Sequence, residues 1–299
     1  MQDKHNRKTK GVIDRWRTAV QIACVFLLNP FFFRYMGVCV PVMNCWACPA
    51  AAFSCPVGVV GNFLVRGLFP FAVIGVTVLC AMVAGRILCG WVCPFGFLQD
   101  LLNKIPSPKF VVPDRVNRWL FVAPLAFLVG AVFLVPLFLG TDSKLYFCNF
   151  CPAGALEAGI PFHIMKSEGT FLEITLELFT FWRVWILVAC LVAFVVIKRP
   201  FCRLICPIGI AMGLFNWLSF LKISHGLHYW GKFFKAKLAP VKACPLDDCG
   251  CCTDECPVDL VAIRDVNKRD CIYCYLCTEA CPPRGGQDGS CNCAGSTES

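Results

Sequence analysis

The chain has 299 residues, of which 58% are apolar, 16% charged and 13% aromatic, with a net charge of +9. A soluble domain carries about 25% charged residues. This deficit and the mean hydropathy of +0.65 exclude an ordinary soluble globule, and the basic residues sit beside apolar runs, which excludes nucleic acid as the natural partner. The 24 cysteines are as dense as in a secreted disulfide scaffold, but a mostly apolar chain of this length is not one, so the expectation is an integral membrane protein that uses cysteine for metal.

The basic opening (Lys4, Arg7, Lys8, Lys10, Arg15, Arg17) precedes an apolar run with no small-residue cleavage site. Residues 1–17 therefore read as a cytoplasmic N-terminus ahead of an uncleaved anchor. A spanning helix needs roughly 20 apolar residues, and charge-poor runs supply four, at about 18–40, 66–86, 118–142 and 178–197. Lys104, Lys109, Arg115 and Arg118 follow the second run, and Lys198, Arg199, Arg203 and Lys222 follow the fourth, whereas Glu157, Glu168, Glu173 and Glu177 fall on the opposite face. The positive-inside rule then predicts a multi-pass protein of the cell inner (cytoplasmic) membrane with both termini in the cytoplasm. A further apolar run, 204–221, is expected to lie along the membrane interface, because crossing would export the Lys-rich stretch after it. The predicted organisation is an all-α membrane domain over 18–223, built from two tandem repeats (18–105 and 119–221), then a soluble cytoplasmic domain over 224–282 and a flexible tail over 283–299.

The cysteines recur at set places along this plan. Cys45-x2-Cys48-Pro49-Ala50 follows the first apolar run, with Cys55-Pro56 as a spare, and Cys89-x3-Cys93-Pro94-Phe95-Gly96 closes the second. Cys148-x2-Cys151-Pro152-Ala153-Gly154 follows the third, and Cys202-x3-Cys206-Pro207-Ile208-Gly209 closes the fourth. The chain is thus two tandem halves, each reading helix, C-x2-C-P-A, helix, C-x3-C-P-x-G. On a helical turn the x3 spacing puts both sulfurs on one face. Facing pairs Cys89/Cys93 and Cys202/Cys206 supply four thiolates, enough for one [4Fe–4S] cluster or one zinc ion. On the outer face, Cys45, Cys48, Cys148 and Cys151 form either a second cluster or disulfides in an oxidising compartment.

Downstream, Cys244-x4-Cys249-x2-Cys252-x3-Cys256-Pro257 and Cys271-x2-Cys274-x2-Cys277-x3-Cys281-Pro282 match the bacterial ferredoxin run, in which three thiolates of one loop and a fourth from the other run hold each cube. An α+β dicluster ferredoxin-like domain is expected. One cluster takes Cys244, Cys249, Cys252 and Cys281, and the other takes Cys271, Cys274, Cys277 and Cys256. The first gap is two residues longer than usual, and Cys251 competes with Cys252. His5, His163, His225 and His228 all fall outside the four runs, so no haem held by two transmembrane histidines is expected. No nucleophile triad, P-loop or dinucleotide fingerprint is present.

Two C-x3-C-P motifs at helix ends, Cys89-Gly90-Trp91-Val92-Cys93-Pro94 and Cys202-Arg203-Leu204-Ile205-Cys206-Pro207, followed by a dicluster ferredoxin region, resemble the NapH-type membrane ferredoxins. That group is similar to the iron–sulfur membrane modules of the NosR kind. The resemblance runs from the second helix to about Pro282. It implies four transmembrane helices, cytoplasmic [4Fe–4S] clusters (two in the ferredoxin domain and one or two in the membrane domain), and electron transfer between the quinone pool and a redox partner such as a ferredoxin-like protein or oxidoreductase subunit. Membrane lipid is the other expected partner, and nucleic acid is not one. The outer C-x2-C-P pairs and the long gap after Cys244 depart from the family's pattern. A rival of another class is a thiol–disulfide oxidoreductase relaying oxidising equivalents through the C-x2-C pairs.

Overall fold

The computed structural model describes residues 12–30, 35, 37–108, 110, 122–166, 182–220, 255–260 and 268–277. Cys244, Cys249, Cys251, Cys252 and Cys281, like His5, His225, His228 and the tail, lie outside the described residues.

The first half holds α1 (Val12–Leu28), α2 (Pro56–Val65), α3 (Phe71–Ala84), α4 (Ile87–Trp91) and α5 (Pro94–Asn103). In the second half α6 (Val122–Phe127), a π-helical stretch (Leu128–Leu134) and α7 (Val135–Leu139) follow one another directly. Then come α8 (Phe147–Phe150), α9 (Pro152–Gly154), a second π-helical stretch (Ala155–Gly159) and α10 (Ile160–Lys166). α11 (Trp182–Val196), α12 (Pro200–Leu204), α13 (Pro207–Leu214) and a 3-10 turn (Asn216–Leu218) complete it.

The two halves interlock. α5 of the first half packs on α11 of the second, and α13 of the second packs on α3 of the first. Phe95 of α5 meets Phe194 of α11 and Phe201 of α12 edge-on, with ring centroids 5.6 and 5.1 Å apart. Asn103 closes α5 by donating its side-chain amide to the carbonyls of Phe194 and Ile197, at 3.1 and 3.2 Å. These bonds satisfy carbonyls at the end of α11 that have no partner within the helix.

The expected four transmembrane helices are corrected by this chain path. Among the described residues no helix is long and apolar enough to cross a membrane. α1 ends at Leu28, before Asn29-Pro30, because proline clashes with the preceding turn and offers no amide. α3 has 14 residues, about 21 Å at 1.5 Å per residue against roughly 30 Å of hydrocarbon. It stops at Gly85, whose φ of +55° only glycine adopts freely. The third run is split by π-helix and by Pro136. The apolar run 204–221 is also not an interfacial helix: it breaks at Cys206-Pro207, and α13 is core, with Ile208, Ile210 and Met212 buried. Nor is there an α+β C-terminal domain among the described residues, which hold no strand and one isolated parallel bridge, Cys39 to Ser54. The described part of that region, 255–260 and 268–277, forms turns that lie on the first two-thirds of the chain.

Candidate functional site

Four helices begin with the same device. Cys55, Cys93, Cys151 and Cys206 each stand just before a helix, with proline at its first position. Their backbones are nearly superposable: φ/ψ of −68/130, −67/118, −67/120 and −63/114°. Proline suits the first helical position because its missing amide would have no partner there. The Cys206 thiol accepts the backbone N–H of the glycine three residues on, Gly209, at 3.4 Å, and Cys55, Cys93 and Cys151 have a glycine at the same place, Gly58, Gly96 and Gly154. The motif is C-P-x-G, and Cys48-Pro49-Ala50-Ala51 lacks it and starts no helix.

The structure brings Cys89, Cys93, Cys202 and Cys206 together. Cys202 and Cys89 add to the rise that burial imposes on Cys93 and Cys206, and all four are buried. A two-fold exchange frames them. Arg86, three residues before Cys89, donates to the carbonyl of Cys202. Arg199, three residues before Cys202, donates to the carbonyl of Cys89 at 2.9 Å. A Cβ on Gly96 would sit 2.8 Å from the Cys89 carbonyl, and one on Gly209 2.7 Å from the Cys202 carbonyl. These glycines are therefore fixed by close approach rather than by backbone angle.

Two buried guanidinium groups thus flank the thiols. Asp100 holds Arg199 through two hydrogen bonds of 2.5 Å and also pairs with Arg17. α1 serves this site: Arg17 and Gln21 donate to the carbonyl of Gly90 at 3.0 and 2.9 Å. Burial would push the Asp100 carboxyl up, but Arg199 and Arg17 win and hold it below the usual carboxylate range. Burial raises the thiols of Cys93, Cys202 and Cys206. For Cys202 the nearby Arg199 and Arg86 and a 2.9 Å hydrogen bond from Gln99 oppose that rise.

The ferredoxin-like loops dock on this centre. Trp91 donates to the carbonyl of Tyr273 at 3.0 Å, and the Ile272 carbonyl lies against Gly90, where a Cβ would come within 2.5 Å. Asn216 donates to the carbonyls of Lys268 and Cys271 at 2.6 and 2.9 Å and accepts the Arg86 N–H at 3.0 Å. Asp270 pairs with Arg86 at 3.2 Å, and Asp259 pairs with Lys198 at 2.7 Å. Around Cys274 the chain turns through left-handed residues, Tyr273 (φ 48°) and Tyr275 (φ 62°), a conformation costly for side chains with a Cβ. Cys256, Cys271, Cys274 and Cys277 are all buried. Cys256 is pushed up to about 11, by burial first and by Cys274 second.

Cys45, Cys148 and Cys151 gather with Cys55 around a second cavity, the far site. Cys48 is buried and within electrostatic range of Cys45. None of Cys45, Cys55, Cys148 and Cys151 is in a disulfide. Among the described residues no three His, Cys, Asp or Glu side chains converge on one metal ion. A single tetrahedral ion with bonds of about 2.3 Å draws its thiolates to within about 4 Å of one another. A four-iron cube binds each thiolate at its own corner and accepts a wider set. Soft donors only, two adjacent cations and burial from water fit the inner four cysteines to such a cluster.

Comparison with known proteins gives the same chemistry. A family model described as a 4Fe-4S binding domain matches residues 66–113 and again 178–224, each match holding one C-x3-C-P-x-G motif. An uncharacterized protein of Methanocaldococcus jannaschii, MJ0750, is 25% identical over 76% of this chain and 82% of its own length. YccM of Escherichia coli, named for electron transport, is 25% identical over 69% of this chain and 51% of its own length. The regulatory protein NosR of Pseudomonas aeruginosa is 27% identical over 66% of this chain. The chain spans only about a quarter of NosR, 24% of its length. No solved structure matches.

Proposed function

We propose that this chain, which belongs to an iron–sulfur electron-transfer family, passes electrons between a ferredoxin-like centre at Cys256, Cys271, Cys274 and Cys277 and an inner centre at Cys89, Cys93, Cys202 and Cys206. One observation carries the reading: Trp91, on the helix that carries Cys89, donates to the carbonyl of Tyr273, the residue before Cys274, at 3.0 Å, so the two sets of thiols sit on stretches in direct contact. When bound, a [4Fe–4S] cluster supplies one-electron chemistry at each set. The protein's part is placement. The C-P-x-G caps fix the sulfurs, Arg86 and Arg199 offset the charge of an anionic cluster, and Trp91 and Asn216 hold the outer loop against the inner one.

The expected redox partner delivers or removes electrons at the 268–277 loop. A quinone is the proposed acceptor or donor at the other end. An apolar cavity of about 350 Å³, lined by Phe127, Phe147, Phe150, Phe201, Leu204 and Ile205 among others, supports that reading. It lies between α8, just before Cys151, and α12, the helix that carries Cys202, and its size is that of a small-ligand pocket. We also propose residence at the cytoplasmic membrane. Phe26 and Leu27 of α1, Phe71 and Leu79 of α3, Phe138 of α7 and Trp185 and Val192 of α11 are exposed, an apolar surface suited to lipid.

The test uses anaerobically purified full chain reduced with dithionite. Wild type should show spin coupling between neighbouring clusters by EPR. Cys274→Ser should abolish that coupling and cost about one cube of iron, while the signal of the inner centre persists uncoupled. An unchanged spectrum and iron content would overturn the relay.

A further inference from the structure

We infer that Cys45, Cys55, Cys148 and Cys151 form a further [4Fe–4S] site, distinct from the inner and ferredoxin-like centres, in which Cys55 rather than Cys48 is the fourth ligand. These four cysteines line one buried cavity, with Trp46, Val57 and Gly154 among its walls. They come from three separate stretches of chain, and both family matches exclude all four.

The assignment follows from the caps. The inner centre takes one C-P-x-G cap from each half, Cys93 and Cys206, and one thiol preceding each cap, Cys89 and Cys202. The far site repeats this arrangement. Cys55 caps α2 and Cys151 caps α9 with matching backbone angles and proline at the first helical position. Cys45 and Cys148 are the preceding thiols. A Cβ on Gly154 would lie 3.7 Å from both the Cys148 carbonyl and the Cys45 sulfur, an ordinary contact that places these two stretches side by side without the crowding of Gly96 and Gly209. Spacing alone pairs Cys48 with Cys151, because both end a C-x2-C-P. The fold pairs Cys55 with Cys151, because both begin a helix and face the same cavity. Cys48 sits in a turn and is absent from the cavity wall.

The surroundings suit a cluster with one open edge. Cys55 and Cys151 are buried, whereas Cys45 and Cys148 are half-buried and front a wider cavity of about 550 Å³ with Asn62, Asn149, His163 and Arg183. Arg183 lines that same cavity with Cys148, which gives the far site a cation as Arg86 and Arg199 do for the inner one. Tyr146, which shares the wider cavity with Cys148, donates to the Val57 carbonyl at 3.2 Å. Its ring and that of Trp46 fill the space beside Gly61 and Gly58, where any Cβ would collide with them.

Iron and acid-labile sulfide, measured on anaerobically purified full chain, decide the matter. Cys55→Ala and Cys151→Ala should each lose about four irons and four sulfides per chain, one cube. The double variant should lose no more, because both act on one site. Cys48→Ala should keep its full content. Cys55→Ser repeats the test with a smaller disturbance of packing, and elution as a single species in gel filtration identifies the variants that fold. Iron lost from Cys48→Ala but kept in Cys55→Ala would overturn the assignment. So would a Cys55–Cys151 or Cys45–Cys148 disulfide found by mass spectrometry of alkylated, unreduced wild type. Cys93→Ala separates this site from the relay: it should lose the inner cube and keep the far one. If Cys93→Ala keeps all its iron, the inner centre falls and the far site still stands on its own variants.

Discussion

Asp100 shows how one side chain ties the inner centre to stability. Its carboxylate neutralises Arg199 and Arg17, whose side chains are 1% and 5% exposed. Removing one partner of a buried ion pair strands the other and costs about 3–5 kcal/mol. Asp100→Asn should therefore lower unfolding stability by about that much at pH 7. The pH dependence follows from the sign of the shift. Because the folded carboxyl is held below its ordinary value, its contribution is fully present above the unfolded pKa of about 4 and is lost as pH falls through the folded value. The stability gap between wild type and Asp100→Asn should then narrow below about pH 4. A gap that stays constant from pH 7 to pH 3 in chemical denaturation would show that the ion pair is not the cause. Glycine gives a second test at this scale. Gly209→Ala forces a Cβ to 2.7 Å from the Cys202 carbonyl, whereas Gly75 of α3 has nothing within 4 Å. Gly209→Ala should cost about 1–3 kcal/mol by overpacking and deplete inner-site iron. Gly75→Ala should be neutral or stabilise by up to about 1 kcal/mol, since alanine is the better helix former. Thermal unfolding and iron content of the two variants give the comparison.

At the scale of elements, the sulfur pattern was far more legible than the helices that carry it. The C-x3-C-P-x-G spacing marks Cys89, Cys93, Cys202 and Cys206, whose two stretches are tied by Arg86 on the Cys202 carbonyl and Arg199 on the Cys89 carbonyl. Of the paired ferredoxin runs, Cys256, Cys271, Cys274 and Cys277 fall among the described residues, and all four are buried. Helix length failed because hydropathy counts residues and not chain path: Asn29-Pro30, Gly85 and Pro136 cut apolar runs that composition alone leaves whole. Cys55 was legible in principle, since Cys55-Pro56-Val57-Gly58 is a C-P-x-G like the other three. The C-x2-C spacing drew attention to Cys48 instead. Asn216 left no local signal, because its partners lie about fifty residues away, at Lys268 and Cys271. It is fully buried, and its amide is the peg on which the 268–277 loop hangs. Asn216→Leu leaves the Lys268 and Cys271 carbonyls and the Arg86 N–H without that partner, at about 1–3 kcal/mol for each unsatisfied group. Amide exchange in 268–277 should accelerate by at least tenfold, since about 1.4 kcal/mol already opens a segment that much more often. Unchanged exchange there would mean that Trp91 and the Arg86–Asp270 pair hold the loop unaided.

For the whole molecule, the interlocked packing makes the tandem halves one folding unit. α5 finds its apolar partner on α11 and α13 finds its partner on α3, so neither half contains the surface that buries its own short helix. The two guanidinium groups are exchanged in the same way, with Arg86 on the Cys202 carbonyl and Arg199 on the Cys89 carbonyl. A cluster between Cys89, Cys93, Cys202 and Cys206 adds its binding energy to folding only when both halves are present. Cutting the chain within 111–121 should therefore give two fragments that assemble when co-expressed and fail when expressed singly. With an affinity tag on the first fragment alone, the second should co-purify with iron at the inner centre. Arg199→Gln in the second fragment should weaken that recovery, because it strands the Cys89 carbonyl and Asp100 of the first. A first fragment that is monodisperse and stable without its mate would show that the halves fold independently and merely meet at the metal.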